Sequence, residues 1–364
     1  MIARVLVYWT LALFGLWSGT SLFSSRADQR DQSESQLKTT AAADNFACTE
    51  DGSLGAPSGT PQHPRLLIFY LKSSPCAVAG VNYAVGYSNI ALQDPIECHC
   101  LPSGASIDLI NHFIRVTEAP ALTLNGFDFS LHGGYLVYCD RSPNLTVSNS
   151  KFAAGENGLL GVMGNSGCAD LTVTNNVFDG MGHLYPCGIG TVITTAGNGI
   201  TLRYNWIKNF SQHVLEANGG GKVIYRYNVV EDGGWCPGAH LNYTQLQGDY
   251  HSPIIAFNTF IQNVQVAGGE GIRLSATSKI VNALVEFNTM ISVPSGLKKA
   301  LSYMIACHQQ PNATNVGFVA KNNYLDIRGA YGAIYPSGGS YPCPKPTYTR
   351  NFNMTTGIAL REQQ

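Results

Sequence analysis

The chain repeats one short pattern of apolar and polar positions eight times between residues 145 and 354. Each copy has an alternating apolar strand, then a polar turn residue, and usually a second apolar residue two positions later; LTVTNNVF (171–178) is an example. Alternation with a period of two is typical of strands that bury one face. The pattern therefore predicts a series of units built from short strands.

The turn residue is asparagine in seven of the eight copies, and successive turn positions are 23 to 35 residues apart. The turn positions are Ser150, Asn176, Asn205, Asn228, Asn258, Asn288, Asn323 and Asn353. A period of this length indicates a solenoid, a propeller or an array, and these units are too short for four-stranded propeller blades. Because asparagine tolerates left-handed backbone angles and its amide both donates and accepts, we expect the asparagines to stack and bond to one another at a tight bend.

With this asparagine ladder the chain resembles the right-handed parallel β-helix, or pectin-lyase-like, superfamily over residues 105–355. The resemblance implies an all-β solenoid over residues 60–364 that begins with an N-terminal cap. We expect LNGFDFS (124–130) to be an early coil and RLLIFYLK (65–72) to be a strand. One such fold hosts many activities, so the resemblance alone does not define a reaction.

The N-terminus predicts export from the cytoplasm. Residues 5–23 are apolar, follow Arg4 and precede a polar stretch, which is the layout of a signal peptide cleaved before Asp28 or of an uncleaved membrane anchor. Residues 28–59 read as a polar linker. We therefore expect a secreted, periplasmic or cell-surface protein that contacts a membrane only through residues 5–23, if these are retained.

Composition narrows the classes of partner. Charged residues make up 12% of the chain and hydrophobic residues 45%, which excludes an intrinsically disordered protein. A net charge of -1 without any run of Lys or Arg argues against nucleic-acid binding.

Ten cysteines fit an oxidising compartment, and we expect structural disulfides rather than zinc ligands. Cys98-His99-Cys100 has the wrong spacing for a C-x2-C zinc knuckle. Cys139 and Cys168 come shortly before successive turn positions, so we expect them to lie close enough to form a bridge.

Three polar segments between turn asparagines align with one another. They are QHVLEANGG (212–220), LNYTQLQG (241–248) and GEGIRLSA (269–276). The alignment places Glu216, Gln245 and Arg273 in one column and His213, Asn242 and Glu270 in a second. Since neighbouring coils lie about 4.8 Å apart, we expect two outward columns on one sheet, with His240, His183 and His308 within reach.

These columns suggest a groove for a polysaccharide, in which Arg273 or a histidine moves a proton and Glu216 or Glu270 is the partner acid or base. The candidate catalytic residues are Glu216, His240, Arg273, Glu270 and His213. The candidate substrate-binding residues are Asn242, Gln245, Tyr243 and Trp235. A lyase, an epimerase and a hydrolase remain open as reaction classes, and a noncatalytic glycan-binding protein or a structural solenoid remains the alternative.

The resemblance also implies a comparison with lyases that use an Arg or Lys base and often hold calcium with acidic residues. This groove has no Asp cluster, and His240-Leu-Asn242-Tyr-Thr-Gln245 is similar to a His-x-Asp-x-x-Gln signature with Asn242 at the acidic position. A neutral amide binds a hard cation less strongly than a carboxylate does, which weakens the case for calcium, although calcium stays possible as a cofactor.

Overall fold

The computed structural model describes residues 85–87, 90–155, 160–182, 191–235, 239–262, 269–292, 301–326, 332–335, 341–353 and 358–360. The expected export segment, the linker, the strand predicted over residues 65–72 and His183 lie outside these ranges. The regular structure of the described ranges is entirely β, and no helix in them is long and apolar enough to cross a bilayer.

The strands form three sheets, which we name A, B and C. Sheet A contains β1 (Ala105–Asp108), β2 (Phe113–Thr117), β4 (Leu136–Asp140), β7 (Gly161–Gly164), β10 (Ile193–Thr195), β13 (His213–Ala217), β16 (Leu241–Leu246), β20 (Gly269–Ala276) and β24 (Tyr303–Gln309). Sheet C contains β6 (Lys151–Ala153), β9 (Val177–Asp179), β12 (Trp206–Lys208), β15 (Val229–Glu231), β19 (Thr259–Gln262), β23 (Thr289–Ser292), β27 (Tyr324–Leu325) and β29 (Phe352–Asn353).

Sheet B is the largest of the three. Its main path contains β3 (Thr123–Asn125), β5 (Thr146–Ser148), β8 (Leu171–Thr174), β11 (Asn198–Arg203), β14 (Gly220–Arg226), β18 (Ile254–Ala256), β22 (Leu284–Glu286), β26 (Val319–Lys321) and β28 (Thr347–Thr349). Off this path lie β17 (Asp249–His251), β21 (Lys279–Val281) and β25 (Thr314–Val316).

The chain visits the sheets in the order A, B, C and then repeats, as in β13, β14, β15 and β16. From β2 onward, each strand pairs in parallel with a strand one coil away, which confirms the predicted parallel β-helix. Only β1 and β2 pair antiparallel among the described strands, so the parallel part of sheet A begins at β2.

The interior is filled by columns of apolar side chains that repeat from coil to coil. The residues two positions after the ladder positions are fully buried in seven successive coils: Phe152, Phe178, Ile207, Val230, Phe260, Met290 and Leu325. Phe152 and Phe178 stack with their ring centroids 4.5 Å apart. The apolar half of the sequence repeat thus forms one continuous core.

The asparagine ladder runs through buried side chains at the corner between sheets B and C. The backbone N–H of each member donates to Oδ1 of the member in the next coil, as from Asn205 to Asn228 at 2.9 Å and from Asn228 to Asn258 at 3.0 Å. Their amide nitrogens repeat the same step and also donate to backbone carbonyls, for example from Asn228 to Leu202. The predicted ladder is confirmed for seven of its eight positions.

The last predicted member of the ladder is wrong. Asn323 donates its N–H to Asn351, and Asn353 pairs in register with Leu325 at the following strand position. The sequence Asn351-Phe352-Asn353 offers two asparagines only two positions apart. The variable spacing of the repeat could not distinguish between them. With Asn351 in the ladder, the position two residues later is Asn353 itself, so the apolar column ends at Leu325.

The left-handed backbone angle belongs to the residue before each ladder position, which corrects our expectation for the asparagine itself. Tyr204, Tyr227 and Phe257 have φ of 54°, 61° and 57°. Their rings stack, with centroids 5.2 and 5.3 Å apart. The preceding residue makes the bend. The asparagine side chain then points into the corner, where it is buried against the amides of the neighbouring coils.

Three disulfides join described cysteines. Cys139–Cys168 links adjacent coils, as the sequence predicted, and Cys307–Cys343 lies near the C-terminal coils. Cys98–Cys100 closes a short loop before the first coil.

We predict that Asn228→Ala lowers the free energy of unfolding by roughly 3 kcal/mol, because it leaves the buried N–H of Asn205 and the carbonyl of Leu202 without their partners. Asn218→Ala is the matched control, since Asn218 is exposed. Denaturant unfolding measures both variants. Equal losses of stability would contradict a dominant role for the ladder.

Candidate functional site

The three polar segments lie side by side on sheet A, in the register that the sequence predicted. Glu216 aligns with Gln245 and Gln245 with Arg273, while His213 aligns with Asn242 and Asn242 with Glu270. Parallel pairing of β13, β16 and β20 sets this alignment. Side chains from three coils therefore gather on one surface of the solenoid.

The two columns differ in exposure, which corrects the expectation that both face solvent. Glu216, Gln245 and Arg273 are partly exposed, whereas the column of His213, Asn242 and Glu270 is buried. The two columns nevertheless share one surface, because Asn242 donates to Gln245 and Glu270 contacts Arg273 across them. The sequence alignment gave the partners along each column correctly but did not show this difference in depth.

Glu270 is the centre of a recessed charge cluster. Its Oε1 accepts a hydrogen bond from Nε2 of His308 at 2.9 Å, and its Oε2 lies 3.3 Å from Nε of Arg273. The side chains of Glu270, His308 and Arg273 are only 11%, 12% and 23% exposed. The contact between Glu270 and Arg273 is electrostatic rather than a directed hydrogen bond, so both atoms keep hydrogen-bonding capacity.

The environment keeps Glu270 ionised. Burial works against the charged form, but the hydrogen bond from His308 and the positive charges of His308, Arg273 and His240 outweigh it and lower the pKa of Glu270. Because a carboxylate only accepts, the proton of the His308 ring lies on Nε2, and Nδ1 makes no hydrogen bond within the described part of the chain. His308 is thereby held in one orientation, with its ring 4.3 Å from that of Tyr335.

His213 is held neutral. Burial, together with the positive charges of His240 and Arg273, lowers its pKa to about 4. Its Nδ1 accepts the backbone N–H of Asn242 at 3.1 Å, which places the ring proton on Nε2. At neutral pH, His213 can therefore donate a hydrogen bond to a ligand but does not supply positive charge.

His240 is exposed at the rim of this cluster. Partial desolvation by the surrounding protein lowers its pKa, and the charge of Arg273 adds to the effect, while Glu270 opposes it. A histidine with a lowered pKa is unprotonated at neutral pH and can accept a proton.

Asn242 and Gln245 tie the columns together. Asn242 donates its side-chain amide to Oε1 of Gln245 at 2.7 Å, and its Oδ1 accepts the N–H of Glu270. Glu216 stands apart from the charge cluster and accepts a long hydrogen bond from Asn218 at 3.4 Å.

Neither aromatic residue predicted to bind substrate lies in the cluster. Tyr243 is fully buried, stacks on Phe260 and donates its hydroxyl to Gln262, so it presents no face to a ligand and its predicted role is wrong. Trp235 is partly exposed but packs beside Gly182 and donates its indole N–H to the carbonyl of Asp232. Alternating aromatic residues could not be assigned to a face from spacing alone.

The sequence placed His308 within reach of the columns but not among the candidate catalytic residues. His308 belongs to β24 and aligns with Ser275, so its contact with Glu270 runs diagonally across the sheet rather than along a column. Tyr335 follows the bridge between Ile305 and Ile334 on the next coil, and its ring lies against that of His308. The position aligned with His308, Ser275, lies five residues after Glu270 along β20, so the alignment alone does not predict this contact.

The residues of the groove do not fit calcium. This ion takes six to eight oxygen ligands, but the one carboxylate in the cluster is already engaged by His308 and Arg273. Among the described His, Cys, Asp and Glu side chains, three ligand atoms come within 4.8 Å of one another only at Asp94, Glu97 and His132, near the first coils. We therefore derive no step through a metal.

Comparison with known proteins identifies the fold. A family model described as a right-handed beta helix region matches residues 107–290, about half of the chain. Neither the curated proteins nor the solved structures provide a significant match.

We predict that His213 makes stability depend on pH. Its pKa falls from 6.5 to about 4 on folding, so the unfolded state binds the extra proton between these values and stability is lost as pH falls through this interval. His213→Asn keeps an acceptor for the N–H of Asn242 but cannot take up the proton. Between pH 7 and pH 4, the free energy of unfolding should therefore fall by about 3 kcal/mol less in this variant than in the unchanged protein.

Denaturant unfolding at several pH values measures this effect. His251→Asn is the control, because the side chain of His251 is 61% exposed. The interpretation fails if the two variants have the same pH profile.

Proposed function

Since the chain belongs to the right-handed β-helix family, we propose that it is a carbohydrate-active enzyme that uses the surface of sheet A to act on an acidic polysaccharide, by lyase-type or epimerase-type chemistry. The proposal rests on the recessed charge cluster of Glu270, His308 and Arg273. It does not rest on the family, because this fold hosts many activities.

Arg273 carries the proposal. Nε of its guanidinium lies 3.3 Å from Oε2 of Glu270, and no carboxylate other than Glu270 forms an ion pair with Arg273 among the described residues. A guanidinium matches a carboxylate in two parallel hydrogen bonds, and recessed charge is screened less than charge on an open surface. A uronate carboxylate is the group that this arrangement fits best.

The histidines fit proton abstraction next to such a carboxylate. In an elimination, neutral His240 takes the proton from the carbon beside the carboxyl group, the carbon–oxygen bond at the next carbon breaks, and a double bond forms. His308, oriented by Glu270, is placed to give a proton to the leaving oxygen when it is protonated. In an epimerisation, the abstracted proton stays on His240 and protonated His308 delivers a proton to the opposite face of the same carbon instead.

The two glutamates fit direct hydrolysis less well. Glu216 and Glu270 are separated by two coils and three strand positions, which puts their Cα atoms about 14 Å apart. Glycosidases direct their paired carboxyl groups at one glycosidic bond. Here the carboxylate of Glu270 is engaged by Arg273 and by His308 on the coil farther from Glu216.

We further propose that the protein is secreted, periplasmic or displayed at the cell surface, where it meets its polysaccharide. The disulfides among the described cysteines support this location, since such bonds persist in oxidising compartments.

A noncatalytic glycan-binding or structural solenoid is the second candidate. It is favoured by the hydrogen bonds within the polar columns, where Asn242 binds Gln245 and the N–H of Glu270. Such bonds stabilise a sheet surface whether or not a reaction occurs there.

We expect turnover of at least one uronate-containing polysaccharide, measured as the ultraviolet absorbance of an unsaturated sugar, or as a changed sugar configuration by NMR. His240→Gln and Arg273→Lys should each lower kcat/KM by about 100-fold or more without changing the thermal unfolding midpoint. His251→Gln, a change of an exposed histidine on sheet B, is the control and should keep full activity.

Full turnover in both His240→Gln and Arg273→Lys would refute the site assignment. Retention on an immobilised glycan without any product from the unchanged protein would instead favour the noncatalytic candidate.

A further inference from the structure

We propose that Cys98–Cys100 is a thiol–disulfide exchange site, at which a small-molecule or protein dithiol reduces the bond while the solenoid stays folded. The site lies before the first coil and is independent of the groove on sheet A.

Accessibility separates this disulfide from the other two. Cys100 and the intervening His99 are exposed, and Cys98 is partly exposed. The sulfur-bearing residues of Cys139–Cys168 and Cys307–Cys343 are buried at 0% to 3% exposure. A thiolate in solution can therefore approach Cys100, whereas the other bonds are shielded by the core.

The short loop gives this disulfide little structural value. A disulfide stabilises a fold mainly by restricting the unfolded chain, and the effect grows with the number of residues enclosed. Cys98–Cys100 spans a separation of 2 residues, against 29 and 36 for the buried bonds. Reduction should therefore leave the solenoid folded.

The geometry also favours one direction of attack. The backbone N–H of Cys100 donates to Sγ of Cys98 at 3.2 Å, which stabilises the negative charge that forms on Cys98 when the bond breaks. A dithiol thiolate attacks Sγ of Cys100, the more exposed residue of the pair, a mixed disulfide forms, and Cys98 leaves as a thiolate. The second thiol of the reductant then attacks the mixed disulfide and releases Cys100, so two electrons and two protons pass to the protein.

The test uses the full folded chain. It is incubated with limiting dithiothreitol, quenched with an alkylating reagent at intervals, and mapped by mass spectrometry. We expect Cys98 and Cys100 to be alkylated at least about tenfold faster than the four buried cysteines, with an unchanged thermal unfolding midpoint. Alkylation of all three pairs at similar rates, or unfolding on reduction of Cys98–Cys100, would overturn the proposal.

The direction of attack is tested by trapping the mixed disulfide. Reduced glutathione has a single thiol and cannot release Cys100 by a second attack, so an acid quench followed by mass spectrometry shows which cysteine carries it. We expect glutathione on Cys100, the more exposed residue, with Cys98 as the released thiol. Glutathione mainly on Cys98 would overturn the assignment of Cys100 as the sulfur attacked.

Discussion

A buried backbone N–H at one corner of every coil is the constraint on which the solenoid depends. At this bend the N–H cannot pair within a sheet, and an unpaired buried donor is costly. The asparagine of the next coil accepts it, and the same amide donates onward and to a carbonyl, as Asn228 does. One side chain thus satisfies the corner of its own coil and that of its neighbour, and it holds the sheets in register on either side.

This constraint explains why so much of the fold could be predicted. An interior amide ladder needs the same residue at the same point of each coil, so it produces a repeat of asparagines in the sequence. The core residues repeat at a fixed distance from these asparagines. The prediction failed where two asparagines fitted the repeat equally well. In NFN two asparagines compete, and only hydrogen bonding showed that Asn351 continues the ladder. The left-handed residue also escaped prediction, because aromatic residues such as Tyr227 occupy it.

The candidate site was predictable to a smaller extent. Residues that align along a column share a strand position, so the register placed Gln245 beside Arg273 correctly. Contacts that run across columns depend on side-chain direction, which a repeat pattern does not encode. The contact between His308 and Glu270 is of this kind, and so is the burial of Tyr243. The sequence thus identified the surface, whereas the structure was needed to identify its centre.

The ladder has one further consequence, for the way such a protein can change in length. Each asparagine offers the same acceptor to the coil before it and the same donor to the coil after it, so every coil is interchangeable at its corner. A duplicated segment running from one ladder position to the next would enter as a complete coil with all corner hydrogen bonds intact. An insertion within the strands would break them, while one in a connecting loop would not. Neighbouring ladder positions are 23 to 35 residues apart, and the same hydrogen bond forms at both extremes. The coils therefore differ in loop length while the corner stays the same.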